Sequence, residues 1–169
     1  MKMFEISFDL ETLSLDADAQ ILSIGAVKFD RETKELGDQF YLIIDIGAEH
    51  SGKVDGSTVM WWMAQSAEAR AAVFGTEVHR VPLLEALGLF SQFCEGVTEY
   101  WQRGDKDAQW LEASYKRIGL TAPFRFWQLN DQRTLTKAFV HKIMHLEHGG
   151  AHNALEDALF QARCILAIL

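Results

Sequence analysis

Two carboxylates end the first apolar run of the chain, in the segment Asp9-Leu10-Glu11-Thr12. Residues two apart in an extended strand point to the same face, so Asp9 and Glu11 are expected to lie side by side. Like charges at that distance repel, and each raises the pKa of the other. A divalent cation removes this penalty, and hard oxygen ligands suit Mg²⁺ or Mn²⁺. The alternative for so short a motif is an exposed acidic strand end.

A third acidic position lies in the segment Gly104-Asp105-Lys106-Asp107. Asp107 begins a predicted helix in which the apolar residues Leu111 and Tyr115 follow at +4 and +8. That spacing turns one stripe toward the core and leaves the first turn at the rim of a sheet. Asp105 is the competing candidate, but no such register follows it. A helix cap is the alternative role for either aspartate.

The fourth acidic position and a histidine stand at the start of the last predicted helix. Asn153 is the expected N-cap, so His152 and Asp157 both lie near the helix N-terminus, which favours anions. Gly149-Gly150 precedes the histidine and predicts a hinge. An imidazole titrates near neutral pH, which suits a general base. A solvated or capping histidine is the alternative.

The elements that must position these residues follow from hydrophobic periodicity. Three early strands precede alternating helices and strands, which predicts a mixed sheet covered by helices. The five strands are expected at about 3–8, 21–30, 39–45, 98–102 and 124–128. The helices are expected at about 57–65, up to 74, 82–95, 106–118, 130–145 and 153–169, with Ser57 capping the first of them.

In type, order and spacing these residues resemble the DEDDh group of DnaQ-like 3′–5′ exonucleases, over nearly the whole chain. Three further segments are similar to the bacteriophage and prophage branch related to exonuclease VIII. They are Trp61-Trp62 with Gln65-Ser66, Phe126-Trp127, and Asp131-Gln132-Arg133-Thr134. The resemblance implies an RNase H-like α/β fold, with a mixed five-stranded sheet and helices on both faces. It also implies a two-metal phosphodiesterase.

Roles for the five motif residues come with the resemblance. It implies that Asp9 bridges two ions, that Glu11 and Asp157 hold the ion that activates water, and that Asp107 serves the second ion. His152 is then expected to take the proton of the attacking water. Two Mg²⁺ or Mn²⁺ ions about 3.5–4 Å apart can stabilise the attacking and leaving oxygens of an in-line displacement. The implied products are nucleoside 5′-monophosphates from a 3′ end.

Four residues are predicted to bind substrate. Thr12 and Leu13 follow the acidic pair, and relatives wedge an apolar side chain beside the terminal base at the position matched to Leu13. A buried leucine is the alternative. Trp61 and Trp62 point to different faces of a helix, so one belongs to the core and the other could stack on a base.

Composition limits the choice of partner and compartment. The 169 residues are 49% hydrophobic and include only 2 prolines, which predicts one domain over 1–169. The net charge of −8 argues against a nucleic-acid partner. Two bound divalent ions would weaken this objection, because they would lie where a phosphate must bind. No run is long enough for a membrane span and no signal peptide is evident, which predicts a cytoplasmic protein. Cys94 and Cys164 are expected to be free thiols.

These arguments predict a metal-dependent 3′–5′ exonuclease acting on single-stranded ends. DNA is favoured because of the phage resemblance, and RNA, as in oligoribonuclease or RNase T, is the alternative. A non-catalytic binding or proofreading subunit is disfavoured because all five motif residues are present. His141, His145, His148 and His152 suggest a zinc site, but no cysteine or carboxylate completes it, so a solvated helix end is the preferred interpretation.

Overall fold

The fold is built on a mixed sheet. The computed structural model describes residues 4–49, 51–149 and 152–169. Within these ranges the sheet has six strands: β1 Phe4–Thr12, β2 Ile21–Asp30, β3 Glu35–Ile44, β4 Arg80–Val81, β5 Val97–Gln102 and β6 Leu129–Asp131. Their spatial order is β4-β3-β2-β1-β5-β6. The first three strands pair antiparallel, whereas β5 runs parallel to β1, β6 to β5, and β4 to β3.

Helices cover both faces of this sheet. The described helices are α1 Gly56–Met63, α2 Ala67–Phe74, α3 Leu83–Phe93, α4 Lys106–Arg117, α5 Gln132–Ala138, α6 Val140–Ile143 and α7 Ala154–Ile168. Helices α3 and α4 share the main core with β1 and β2. Helix α7 packs on the other face, and Leu135 of α5 joins its cluster. None of the described helices combines the length and hydrophobicity needed to cross a membrane.

The alternation of β1 decides which of its side chains reach the site. Ile6, Phe8 and Leu10 are buried in the main core. The intervening residues, which include Asp9 and Glu11, therefore face α7. Apolar residues at every second position fill one face, so the polar residues between them are presented together on the other.

Several sequence-based boundaries need correction. The sheet has six strands instead of five because β4 is only two residues long, too short to show any alternation. Residues 126–128 form a 3₁₀ turn, and the predicted strand at 124–128 is displaced to β6. The helix expected at 130–145 is divided at Phe139. Asp55 replaces Ser57 as the cap of α1, since its Oδ1 accepts from the backbone N of Ser57 at 2.7 Å.

A glycine lets the last helix approach the sheet. A β-carbon built on Gly25 of β2 would lie 2.1 Å from the carbonyl carbon of Ala154, the first residue of α7. Such a distance is impossible, so any larger residue must push the helix away. The N-terminus of α7, which carries Asp157, is held against β2 by the lack of a side chain at this position. Asn153 caps α7 as predicted, accepting from Leu155 and Glu156.

Gly25→Ala should destabilise the protein, because backbone atoms of α7 would have to move. Urea denaturation should show that the free energy of unfolding decreases by about 1–3 kcal/mol. Gly88→Ala in α3 is the matched control, since no atom lies within 4 Å of the added methyl group. It should be neutral or stabilising by up to about 1 kcal/mol. Equal effects of the two substitutions would contradict the proposed packing of α7.

Candidate active site

The site lies where β1 and β5 separate. Their last paired residues are Ser7 and Trp101, and beyond them the two strands no longer share hydrogen bonds. Asp107, from the first turn of α4, occupies the gap. Its Oδ1 accepts a hydrogen bond from the backbone N of Leu10 at 3.0 Å. The third acid is therefore anchored to the β1 backbone between the two acids of the first motif.

The two competing aspartates of the third motif occupy different environments. Asp107 is only 5% exposed, whereas Asp105 is exposed at the N-cap of α4. The Oδ2 of Asp105 accepts from Gln109 Nε2 at 2.8 Å, on the surface of the same helix. Only Asp107 reaches β1, as the helical register predicts.

Three carboxylates converge beside Asp107. Ligand atoms of Asp9, Glu11 and Asp157 all lie within 4.8 Å of one another. Ligands of one divalent ion stand at most about 4–5 Å apart, so these oxygens suit Mg²⁺ or Mn²⁺. Gln161, one turn beyond Asp157, donates from Nε2 to Asp9 Oδ1 at 2.9 Å and orients that carboxylate. In the described part of the chain, no other three His, Cys, Asp or Glu side chains come this close, so the histidine-rich segment forms no such group.

Bringing these carboxylates together raises their pKa values and disfavours their ionised forms. Burial, followed by the charges of Asp107, Asp157 and Glu11, raises the pKa of Asp9 well above its usual value. Burial and the neighbouring aspartates raise the pKa of Glu11 to about 8. Burial raises the pKa of Asp107 to about 7, against the hydrogen bond from Leu10. The ionised cluster is therefore unfavourable without a cation to offset it.

Two histidines lie at the border of the carboxylates. His148 Nε2 is 2.6 Å from Asp157 Oδ1, and its ring packs on Phe160 with centroids 4.6 Å apart. The ring of His152 instead meets the edge of Trp61, with centroids 4.7 Å apart. His152 has a φ of +66°, which is uncommon for a residue other than glycine. The hinge predicted before it includes Gly150, which lies outside the described residues.

A cavity of about 380 Å³ opens beside Glu11 and is lined partly by predicted substrate-binding residues. Trp61 is 44% exposed and lines the cavity with an accessible ring. Trp62 is 2% exposed, and its Nε1 donates to the backbone O of Thr12 at 2.9 Å. Trp62 is thus packed in the core behind the cavity wall that it helps to line, whereas Trp61 offers an exposed ring to the cavity.

Leu13 does not line this cavity. It is 5% exposed and packs with Leu22, Trp62 and Val73, which is the buried alternative left open by the sequence. The register of β1 against β2 shifts between Glu11 and Thr12, so simple alternation fails there. Leu15 is 69% exposed and lines the cavity in its place.

Several residues of the site were not predicted from the sequence. They are Leu15, Ser57, Thr58 and Trp110 around the cavity, and His148 and Gln161 at the carboxylates. Gln161 had a usable signal, because it follows Asp157 at +4 between the core residues Ala158 and Ala162. A buried glutamine at that position points toward a polar partner. The sequence favours a solvated His148, because nothing local links it to Asp157, and the structure corrects this expectation.

Comparisons with known proteins give a matching family model and solved structures of similar fold. The family model of the 3′-5′ exoribonuclease Rv2179c-like domain matches residues 5–169. No curated protein sequence matches the chain.

Solved structures share the fold at low sequence identity. The zinc-bound complex of E. coli ExoI with ssDNA has a TM-score of 0.74 and 12% identity, over 99% of this chain and 40% of that one. The nuclease domain of 3′hExo, a DEDDh family member bound to rAMP, has a TM-score of 0.65 and 14% identity, over 96% and 90%. S. pombe Pop2p in its Mg²⁺- and Mn²⁺-bound form has a TM-score of 0.62 and 15% identity, over 97% and 82%. The chain thus spans about 40% of the length of ExoI.

The raised pKa values make metal-free stability depend on pH. When the folded pKa of an acid lies above its unfolded value, the folded state binds more protons, and stability falls as pH rises between the two values. For Glu11 and Asp107 that window runs from about pH 4 to pH 7–8. In EDTA, Tm should therefore fall from pH 5 to pH 8, and Mn²⁺ should raise Tm more at pH 8. A Tm gain from Mn²⁺ that is larger at pH 5 would contradict this assignment.

Exchanging one carboxylate for an amide distinguishes the two aspartates of the third motif. Asp107→Asn should lose most turnover, because it alone lies in the gap beside Leu10. Asp105→Asn should stay within a few-fold of the parent, since its side chain is exposed and bonds Gln109 on the surface of the same helix. Steady-state kinetics on a labelled oligonucleotide would show the difference. The reverse ranking would mean that the third motif had been assigned to the wrong aspartate.

Proposed function

The chain belongs to the family of 3′-5′ exoribonuclease Rv2179c-like domains, and we propose that it removes nucleotides singly from single-stranded 3′ ends with Mg²⁺ or Mn²⁺. The observation that carries this proposal is the arrangement of the site. Carboxylates from β1, α4 and α7, of which Glu11 and Asp107 are buried, converge directly beside a cavity with an exposed tryptophan ring. A metal-assisted phosphodiesterase needs such a charged centre next to a nucleotide-sized space.

The carboxylates divide into two sets of ligands. Asp9, Glu11 and Asp157 would hold one ion, and Asp107, from the opposite side of the gap, would help Asp9 hold a second. When bound, the ions supply positive charge that offsets the carboxylates and polarises the scissile phosphodiester. Gln161 engages Oδ1 of Asp9, so Oδ2 would be left to serve as a metal ligand. His148 plays the same supporting role toward Asp157.

His152 is the proposed general base. Water attacks the phosphorus and its proton passes to the imidazole of His152. The bond from phosphorus to the 3′ oxygen of the preceding nucleotide breaks, and that oxygen takes a proton from solvent as it leaves. The products are a nucleoside 5′-monophosphate and a strand one nucleotide shorter with a free 3′-hydroxyl. His152 lies against Trp61 at the cavity, so the base and the proposed stacking surface share one location.

The cavity is the proposed site of the terminal nucleoside. Trp61 offers an exposed aromatic face for stacking, which is tolerant of sequence. Leu15 is the apolar side chain available to lie beside the base, and buried Thr12 forms part of the wall. A single strand fits this arrangement because its terminal base is free to enter.

RNA is the substrate that we propose first, because the family is described by its exoribonuclease activity. DNA, favoured by the sequence, is the second candidate and is supported by the likeness to ExoI bound to ssDNA. We further propose that the chain belongs to the phage exonuclease VIII-like branch. It would form one domain over 1–169 and act in the cytoplasm. The free, buried thiols of Cys94 and Cys164 fit a reducing compartment.

Substitutions of His152 and His148 should have different effects: one should reduce turnover and the other should reduce metal affinity. His152→Ala should lower turnover by about 10²–10⁴-fold, the usual loss for a general base, with little change in Mn²⁺ affinity. His148→Ala should weaken Mn²⁺ binding by about 10-fold or more, because it removes the partner of Asp157, while turnover at saturating metal stays within a few-fold. Calorimetry and single-turnover kinetics give the two quantities. Near-parent turnover in His152→Ala would exclude it as the base.

Chimeric oligonucleotides should show whether the preference for RNA over DNA depends on the sugar of the 3′-terminal nucleotide. We expect mononucleotide release from an RNA strand to exceed release from the matching DNA strand, with Mn²⁺ present. An RNA strand with one 3′-terminal deoxynucleotide should behave as DNA in its first cleavage if the cavity reads the 2′-hydroxyl. The opposite chimera is the matched control. Failure to cleave either strand, with intact fold and bound Mn²⁺, would overturn the proposed function.

A further inference from the structure

Arg133 is held beside the carboxylates by a shared aspartate. Asp131, at the end of β6, accepts at Oδ1 from the backbone N of Arg133 at 2.9 Å, and also from the backbone N of Gly104 at 2.8 Å. Gly104 belongs to the loop that joins β5 to α4 and leads to Asp107. One carboxylate thus ties the start of α5 to this loop and brings Arg133 to the edge of the site.

The guanidinium of Arg133 lies over Gly104. A β-carbon built there would stand 3.7 Å from its central carbon. Gly104 has a φ of +95°, a conformation that favours glycine, so the position stays free of a side chain. The positive charge of Arg133 reaches Asp107, where it acts against the effect of burial on the pKa of that carboxyl. The guanidinium therefore lies at the edge of the site, where its side chain is exposed.

Three other arginines of the chain are engaged within the fold. Arg31 pairs with Glu5, and Arg70 and Arg80 each donate to two or more backbone carbonyls. Among the described residues, no hydrogen bond or ion pair engages the Arg133 guanidinium. A planar fork of donors that is exposed beside an anionic centre is suited to a phosphate, which it can bind through two hydrogen bonds.

We propose that Arg133 binds the first phosphate upstream of the scissile one, on the strand whose 3′ end occupies the cavity. This inference rests on the proposed function. The cavity is built on the end of β1 and on α1, whereas Arg133 follows β6, two strands away across β5. A strand that enters the cavity and crosses the carboxylates therefore continues toward Arg133. In a chain of net charge −8, one such cation provides a local anchor without a basic groove.

Substrates with and without the upstream phosphate test this proposal. A dinucleoside monophosphate contains only the scissile phosphate, whereas a longer single strand also contains the upstream one. Arg133→Met should raise KM for the longer strand by about 10-fold or more and change kcat/KM for the dinucleotide by no more than a few-fold. The slope of log affinity against log salt should decrease by about 0.7, the value for one contact on a single strand. Arg133→Lys should retain that slope and recover part of the KM.

Two controls complete the design. Arg125→Met removes an exposed cation near the opposite end of β6 and should leave both substrates unaffected. A neutral methylphosphonate at the upstream linkage should reproduce the Arg133→Met defect in the parent and add nothing in the variant. The assignment of Arg133 would be overturned if Arg133→Met lost the same activity on both substrates. It would also be overturned if Arg133→Met had the same KM for the longer strand as Arg125→Met. Absence of cleavage by the parent on both substrates would instead overturn the proposed function, and the inference with it.

Discussion

Repulsion among the carboxylates at the divergence of β1 and β5 is the constraint on which the site depends. Asp9, Glu11 and Asp157 crowd within 4.8 Å, and Asp107 is buried beside them. Burial raises the pKa of all four, and repulsion from neighbouring carboxylates adds to this for Asp9, Glu11 and Asp107, so the ionised cluster opposes folding unless a cation is present. Only a surrounding structure that is stable in other respects can hold such an arrangement.

The fold holds the cluster through contacts that are independent of metal. The backbone of Leu10 donates to Asp107, and Gln161 donates to Asp9. The close approach of α7 at Gly25 sets the position of Asp157, while the apolar face of β1 is fixed in the main core. Because these anchors come from distant parts of the chain, the site forms only when the sheet, α4 and α7 are assembled together.

The acids themselves could be predicted because each stands at a regular spacing. Alternation places Asp9 with Glu11, and helical register distinguishes Asp107 from Asp105. Prediction failed where the chain leaves regular structure. The register shift after Glu11 buries Leu13 and exposes Leu15, and the turn at 126–128 displaces β6. His148 was missed because its contact with Asp157 depends on the path of a loop, which no periodicity describes.

We propose that the four carboxylates form a divalent-metal centre beside a nucleotide cavity. A crystal structure with Mn²⁺ and a nucleoside 5′-monophosphate would test it most directly through the anomalous signal of manganese. We predict two peaks about 3.5–4 Å apart among Asp9, Glu11, Asp107 and Asp157, with the base against Trp61. Manganese bound elsewhere, such as near His141 and His145, with the carboxylates left without an ion, would contradict the assignment of these carboxylates as metal ligands.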